Sequence, residues 1–194
     1  PEPDRLDLGP GDMPLHFSVE METGTGKTYV YVRTVVELHL KYGFRKFVIV
    51  VPSVPIREGV LNSLELFKEH IRDVYDGLQY DHHVYDSNAL TRVRQFATAS
   101  HLQIMVVSIA AMTGDKENRI IHRPTDALNG YAPISFLQAC RPIVIMDEPQ
   151  SLDGPSQAKA LETLKPLFRV GYSATPPGGA HLVYRLTPVD AYNQ

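Results

Sequence analysis

The segment Leu15-His16-Phe17-Ser18-Val19-Glu20-Met21 alternates apolar and polar residues, and Glu22-Thr23-Gly24-Thr25-Gly26-Lys27-Thr28 follows it directly. A long, largely apolar stretch then runs from Lys27 to Tyr42. Period-two alternation predicts a strand. Tyr29, Val30, Val32, Val35, Val36, Leu38 and Leu40, closed by Gly43 as a C-cap, predict a helix that is apolar on most faces and therefore deeply packed. A glycine-rich turn between a strand and a helix suits phosphate. Small residues let backbone N–H groups converge on an anion, and the helix N-terminus adds the positive end of its dipole. In such a cradle Thr23, Gly24, Thr25 and Gly26 wrap the phosphates, Lys27 reaches the β- and γ-phosphates, and the Thr28 hydroxyl ligates Mg²⁺. The strict pattern G-x-x-x-x-G-K-[ST] has glycine where this chain has Met21, but its core, Gly24-x-Gly26-Lys27-Thr28, is intact. A turn that merely caps a helix could carry the same glycines; the order strand, turn, helix argues against it.

Three further apolar runs, 47–51, 104–107 and 143–146, are short, unbroken and rich in β-branched residues. Such runs suit strands of a parallel sheet covered on both faces. Between them, residues 56–75 place Ile56, Val60, Leu64, Phe67, Ile71 and Val74 at helical spacing, and residues 89–99 and 156–164 are weaker helical candidates. Residues 168–173 read as another short strand. The alternation of strand and helix predicts an α/β fold: an open, mostly parallel sheet with helices on both faces. Residues 112–142, with Gly114, Asp115, Pro124, Gly130 and Pro133, lose the rhythm and predict a long surface excursion. With 194 residues and roughly 100–200 residues per domain, the division is an N-terminal tail, 1–12, and one domain, 13–194. No apolar run is long enough to span a membrane, and the polar, proline-rich start has no signal-peptide core.

The run 143–146 delivers Asp147-Glu148-Pro149-Gln150. An apolar strand ending in two carboxylates is the Walker-B arrangement, in which Asp147 holds Mg²⁺ and Glu148 orients and deprotonates the attacking water. In an open α/β sheet, sites lie beyond the carboxyl ends of the strands. The glycine turn and the acidic pair both occupy such ends, so they can meet although far apart in sequence.

Four segments together resemble a known family. Met21-Glu22-Thr23-Gly24-Thr25-Gly26-Lys27-Thr28 resembles motif I of superfamily 2 helicases and translocases. Val51-Pro52-Ser53-Val54-Pro55-Ile56-Arg57-Glu58-Gly59 resembles motif Ia, Asp147-Glu148-Pro149-Gln150 motif II, and Tyr172-Ser173-Ala174-Thr175-Pro176 motif III, the first two of these in the form found in restriction (Res) subunits of type III restriction–modification enzymes. The resemblance implies a RecA-like, P-loop first motor domain that binds ATP and Mg²⁺. It implies that Ser53 or Arg57 contacts the sugar–phosphate backbone of double-stranded DNA, and that Ser173 and Thr175 couple the nucleotide to DNA and to a second motor domain. The family places that second domain, with its arginine finger, and then an endonuclease later in the chain, and assigns site recognition to a partner methyltransferase subunit. The chain begins at a proline and leaves no room for those domains, so a piece of a longer, cytoplasmic prokaryotic protein is expected, one that binds ATP but hydrolyses it poorly alone and cuts nothing. Preference for ATP over GTP rests on the resemblance alone.

Composition sets limits on these expectations. A net charge of −3 excludes binding of nucleic acid by bulk positive charge, so any DNA contact must be local. One cysteine, Cys140, excludes an intrachain disulfide, gives no basis for structural zinc, and reads as an ordinary thiol that fits a reducing cytosol. His82-His83 reads as an exposed turn, Arg92 and Arg94 as a solvated face, Asp153-Gly154-Pro155 as a turn, and residues 176–179 as a loop that breaks the last strand. Ser173 lacks the second glycine of a nucleophile elbow. Three alternatives share the nucleotide motifs: a P-loop small-molecule kinase, another superfamily 2 helicase, and a non-catalytic nucleotide-binding module. The kinase has no use for motifs Ia and III, and the module has none for Glu148.

Overall fold

The computed structural model describes residues 15–113, 120–175 and 178–186. Its strands are β1 (Leu15–Met21), β2 (Lys46–Val51), β3 (Asp81–Val84), β4 (Gln103–Ser108), β5 (Ile143–Asp147), β6 (Phe168–Ser173) and β7 (His181–Leu186). Its helices are α1 (Lys27–Tyr42), α2 (Val54–Val74), α3 (Thr91–Thr98), α4 (Pro133–Cys140) and α5 (Pro155–Thr163). The strands form one sheet in the order β3-β4-β2-β5-β6-β1-β7, and every pairing is parallel.

The unbroken apolar runs have a direct cause. Successive residues of a strand face opposite sides of the sheet, and both sides are covered here. Phe47, Ile49, Val51, Ile104, Val106, Ile143 and Ile145 join α1 and α2 in one core. Val48, Val50, Met105, Val107, Val144 and Met146 join α3, α4 and α5 in the other. With no solvent face, the central strands have no place for polar alternation.

Helix α1 runs over the predicted bounds, 27–42. Gly43 closes it at φ 75°, a left-handed conformation that costs glycine nothing, and its N–H bonds the His39 carbonyl at 2.8 Å. Deep packing holds only for the inner stripe of Tyr31, Val32, Val35 and Val36; Leu40 and Tyr42 are exposed.

Other expectations need correction. The described residues 112–113 and 120–142 are not a surface excursion: Met112, Ile121, Leu128, Ile134 and Leu137 are buried in the second core. Its helix, α4, opens on Pro133, a residue that punctuates loops but also suits the first helical position, where no N–H is needed. His82 and His83 lie in β3 rather than in an exposed turn. His82 approaches Glu65 Oε2 at 3.8 Å, and His83 Nε2 bonds Gln103 Oε1 at 2.9 Å. Strands β3 and β7 were not foreseen. Both are edges, so packing imposes no apolar pattern on them; β7 is exposed along almost its whole length. The tail 1–12, Gly114, Asp115, Pro176 and Pro177 lie outside the described residues. No helix among the described residues is long and apolar enough to cross a membrane.

Candidate nucleotide site

Strand β1 hands the chain to a turn closed by Thr25, whose N–H and hydroxyl both donate to the Glu22 carbonyl, at 3.4 and 2.6 Å. Gly24 and Gly26 sit at φ 82° and 84°, the left-handed region disfavoured for L side chains. A Cβ at either would meet no atom within 4 Å, so the space over the turn is open. The Gly26 carbonyl accepts from the Val30 N–H at 3.1 Å, starting α1 with its N-terminus turned to that space. Met21 fits the departure from the strict motif: it is still a strand residue, its side chain buried in the first core.

Strand β5 ends on Asp147, separated from β1 only by β6. Because all three run the same way, their carboxyl ends share one edge. Across that edge the Lys27 ammonium forms an ion pair with Glu148 Oε1. Lys27 keeps 10% of its side chain accessible and Glu148 25%, so the pair is largely shielded from water. Glu148 adopts φ 55° and donates its N–H to the Tyr172 carbonyl at 3.0 Å. A non-glycine residue held there is strained, and such outliers concentrate at functional sites.

The second Glu148 oxygen opens a relay toward β6. Gln150 Nε2 donates to Glu148 Oε2 at 2.6 Å, Ser173 Oγ donates to Gln150 Oε1 at 2.6 Å, and the Thr175 N–H donates to Ser173 Oγ at 3.0 Å. Ser173 Oγ also lies 3.5 Å from Glu148 Oε2. Asp147 is 8% exposed. Burial, then the neighbouring Glu148 carboxylate, push its pKa up to about 6, against the opposing pull of Lys27. A divalent cation beside it would reverse that balance.

The predicted residues fall into two groups. Lys27, Glu148, Ser173 and Thr175 are joined through Gln150 by the bonds above; Thr23, Gly24, Thr25 and Gly26 form the turn that precedes Lys27, and Asp147 and Thr28 flank the same edge. Thr28 and Asp147 offer two oxygen donors, a set that fits Mg²⁺, which keeps waters and takes phosphate oxygens for the rest. Among the described residues, no three His, Cys, Asp or Glu side chains converge to hold a metal. Ser53 and Arg57 stand apart. Ser53 is the N-cap of α2. Arg57 donates to Glu58 Oε1 at 2.8 Å and lines a cavity of about 390 Å³ with Tyr85, Asp86, Ser87 and Ser108. Gln150 had been quoted in the sequence without a role. Its position after a proline at a strand end, two residues from Glu148, was the local signal; its other partner, Ser173, comes from β6.

The parallel sheet, clothed on both faces and carrying a glycine turn and an acidic pair on one edge, defines a RecA-like α/β domain. A family model for the type III restriction enzyme res subunit matches residues 12–178, and the chain belongs to that family. The EcoPI Res subunit of Escherichia phage P1 is 32% identical over 197 residues, which cover 92% of this chain and 20% of that protein. The EcoP15I Res subunit of Escherichia coli is 31% identical over 196 residues, covering 91% and 20%. The chain thus spans about a fifth of the length of these relatives. Among solved structures, a nuclease-deletion mutant of the Type ISP restriction–modification enzyme LlaGI, in complex with a DNA substrate mimic, superposes with TM-score 0.59 at 13% identity, covering 92% of this chain and 18% of that one.

Proposed function

We propose that this chain is the ATP-binding first motor domain of a Res subunit, which drives movement on DNA together with a second motor domain of the same protein. The observation that carries the reading is the ion pair of Lys27 and Glu148 across the edge of the sheet. It brings a phosphate-binding cation and a candidate general base to one place from distant segments. Without nucleotide each neutralises the other. A γ-phosphate entering over Gly24 and Gly26 competes for the Lys27 ammonium and leaves Glu148 to orient a water and take its proton. Thr28 and Asp147 would hold Mg²⁺, which when bound would offset the negative charge of the phosphates.

The relay gives Glu148 a mechanical role. When Glu148 leaves Lys27, Gln150 must follow or lose its bond, and Ser173 and the Thr175 backbone are tied to Gln150. Nucleotide state is thereby written into the end of β6. Ser53 and Arg57 lie farther along the same sheet edge, after the end of β2, and Arg57 lines the cavity at the ends of β3 and β4. Donors there suit a phosphate backbone held without reading sequence, and they supply a local contact on a chain of net charge −3. The DNA substrate mimic bound by LlaGI, a protein of like fold, is consistent with this track. Double-stranded DNA, a methyltransferase partner and an arginine finger from the second motor domain belong to the same proposal, as does poor ATP turnover by this domain alone.

Glu148→Gln in the full-length protein tests the reading. It should leave ATP affinity within a few-fold and lower DNA-stimulated turnover by about 10²–10⁴, the usual contribution of a general base. Wild-type turnover in the variant would refute the assignment. Wild-type turnover indifferent to DNA would favour a small-molecule kinase.

A further inference from the structure

Tyr31 lies on α1 one turn beyond Lys27 and Thr28, on the helix face they share. It is fully buried, and its hydroxyl meets no partner at full hydrogen-bond geometry, although the Thr28 side chain lies close enough to act on it as one. Buried hydroxyls without partners are rare, and each calls for a reason. Packing explains the ring, which stands edge-on to Tyr172 with centroids 5.6 Å apart, but not the oxygen. The Tyr172 hydroxyl is itself satisfied, donating to Thr34 Oγ1 at 2.7 Å.

The register places the unsatisfied group. Tyr172 is paired with Asp147 across β6 and β5, and laterally paired residues project from the same face of a sheet. Tyr172 belongs to the core that α1 covers, so Asp147 is directed toward that helix. Thr28 and Asp147 are among the polar groups that act on the Tyr31 hydroxyl. The one orphaned hydroxyl of α1 thus stands beneath the two side chains assigned to the metal.

We propose that Tyr31 is a positioning residue for the metal-holding pair: once nucleotide and metal load the site, its hydroxyl, unpaired in this structure, donates to one oxygen of the Asp147 carboxylate and turns the other toward the space beside Thr28. Tyr31 touches neither nucleotide nor metal. It fixes the orientation of a ligand, as outer-shell partners of metal-binding carboxylates do. The inference rests on the nucleotide reading above.

Tyr31→Phe keeps the ring and its contact with Tyr172 and removes only the donor. In the full-length protein saturated with AMPPNP, Mn²⁺ uptake followed by electron paramagnetic resonance gives the metal half-saturation. The variant should need about tenfold more Mn²⁺, bind AMPPNP within twofold of wild type in EDTA, and melt no lower than wild type. A Mn²⁺ requirement within twofold of wild type would overturn the proposal, since a hydroxyl that only fills space is dispensable to the metal. Parallel losses of melting temperature and of metal-free nucleotide binding would also overturn it, by showing a structural role. If wild type itself takes up no Mn²⁺ with AMPPNP, the nucleotide reading fails and the role of Tyr31 falls with it.

Discussion

Asp147 and Glu148 are adjacent carboxylates with opposite circumstances. Glu148 is met by an ammonium and an amide. Asp147 is buried beside a like charge, and its pKa rises to about 6, against about 3.9 in an unfolded chain. The folded protein therefore holds this proton to higher pH than the unfolded one. The stability linked to it is fully present below about pH 4 and is lost as pH rises through about 6, at most about 3 kcal/mol for a shift of this size. Asp147→Asn removes the titration. With EDTA present, the variant should melt higher than wild type at pH 8 and close to it at pH 4; equal melting temperatures at pH 8 would contradict the account. That the turn of Lys27 and the pair Asp147-Glu148 would meet on one edge was legible in the residues themselves, because both follow apolar strands in patterned turns. The surroundings of Tyr31 and Gln150 were not, because Tyr172 and Ser173 arrive from β6 and no local spacing records that.

At the scale of elements, legibility tracks burial. The strands 47–51, 104–107 and 143–146 were predicted to within a residue at each end, because burial on both faces leaves an unmistakable apolar run. Helix α1 was bounded by its two glycines, which the left-handed conformations at both ends require. Strand β3, four residues with one apolar side chain, carries no such imprint, and α4 was hidden by a proline read as a loop. The central strands should accordingly dominate stability. Ile49, fully buried in β2, should cost about 2–5 kcal/mol when truncated to alanine, from lost burial plus the cavity left behind. Chemical denaturation measures this directly, and a loss below 1 kcal/mol would mean that the sheet centre can collapse around the gap.

For the whole molecule, the strand order matters more than any one contact. Placing β6 between β1 and β5 sets the Ser173–Thr175 turn between the glycine turn and the acidic pair, where Ser173 is bonded through Gln150 to Glu148. The sequence motifs announced the ends of these strands but not their lateral order, which is fixed by crossover packing over the whole chain. The domain spans about a fifth of the length of its Res relatives, and its proposed output is a change of shape at that turn. All of this depends on Lys27 meeting phosphate. Calorimetric titration of full-length Lys27→Ala with AMPPNP and Mg²⁺ tests that most directly: the account predicts affinity lower by about a hundredfold or more, the loss of a charge-assisted phosphate contact, and undiminished affinity would contradict it.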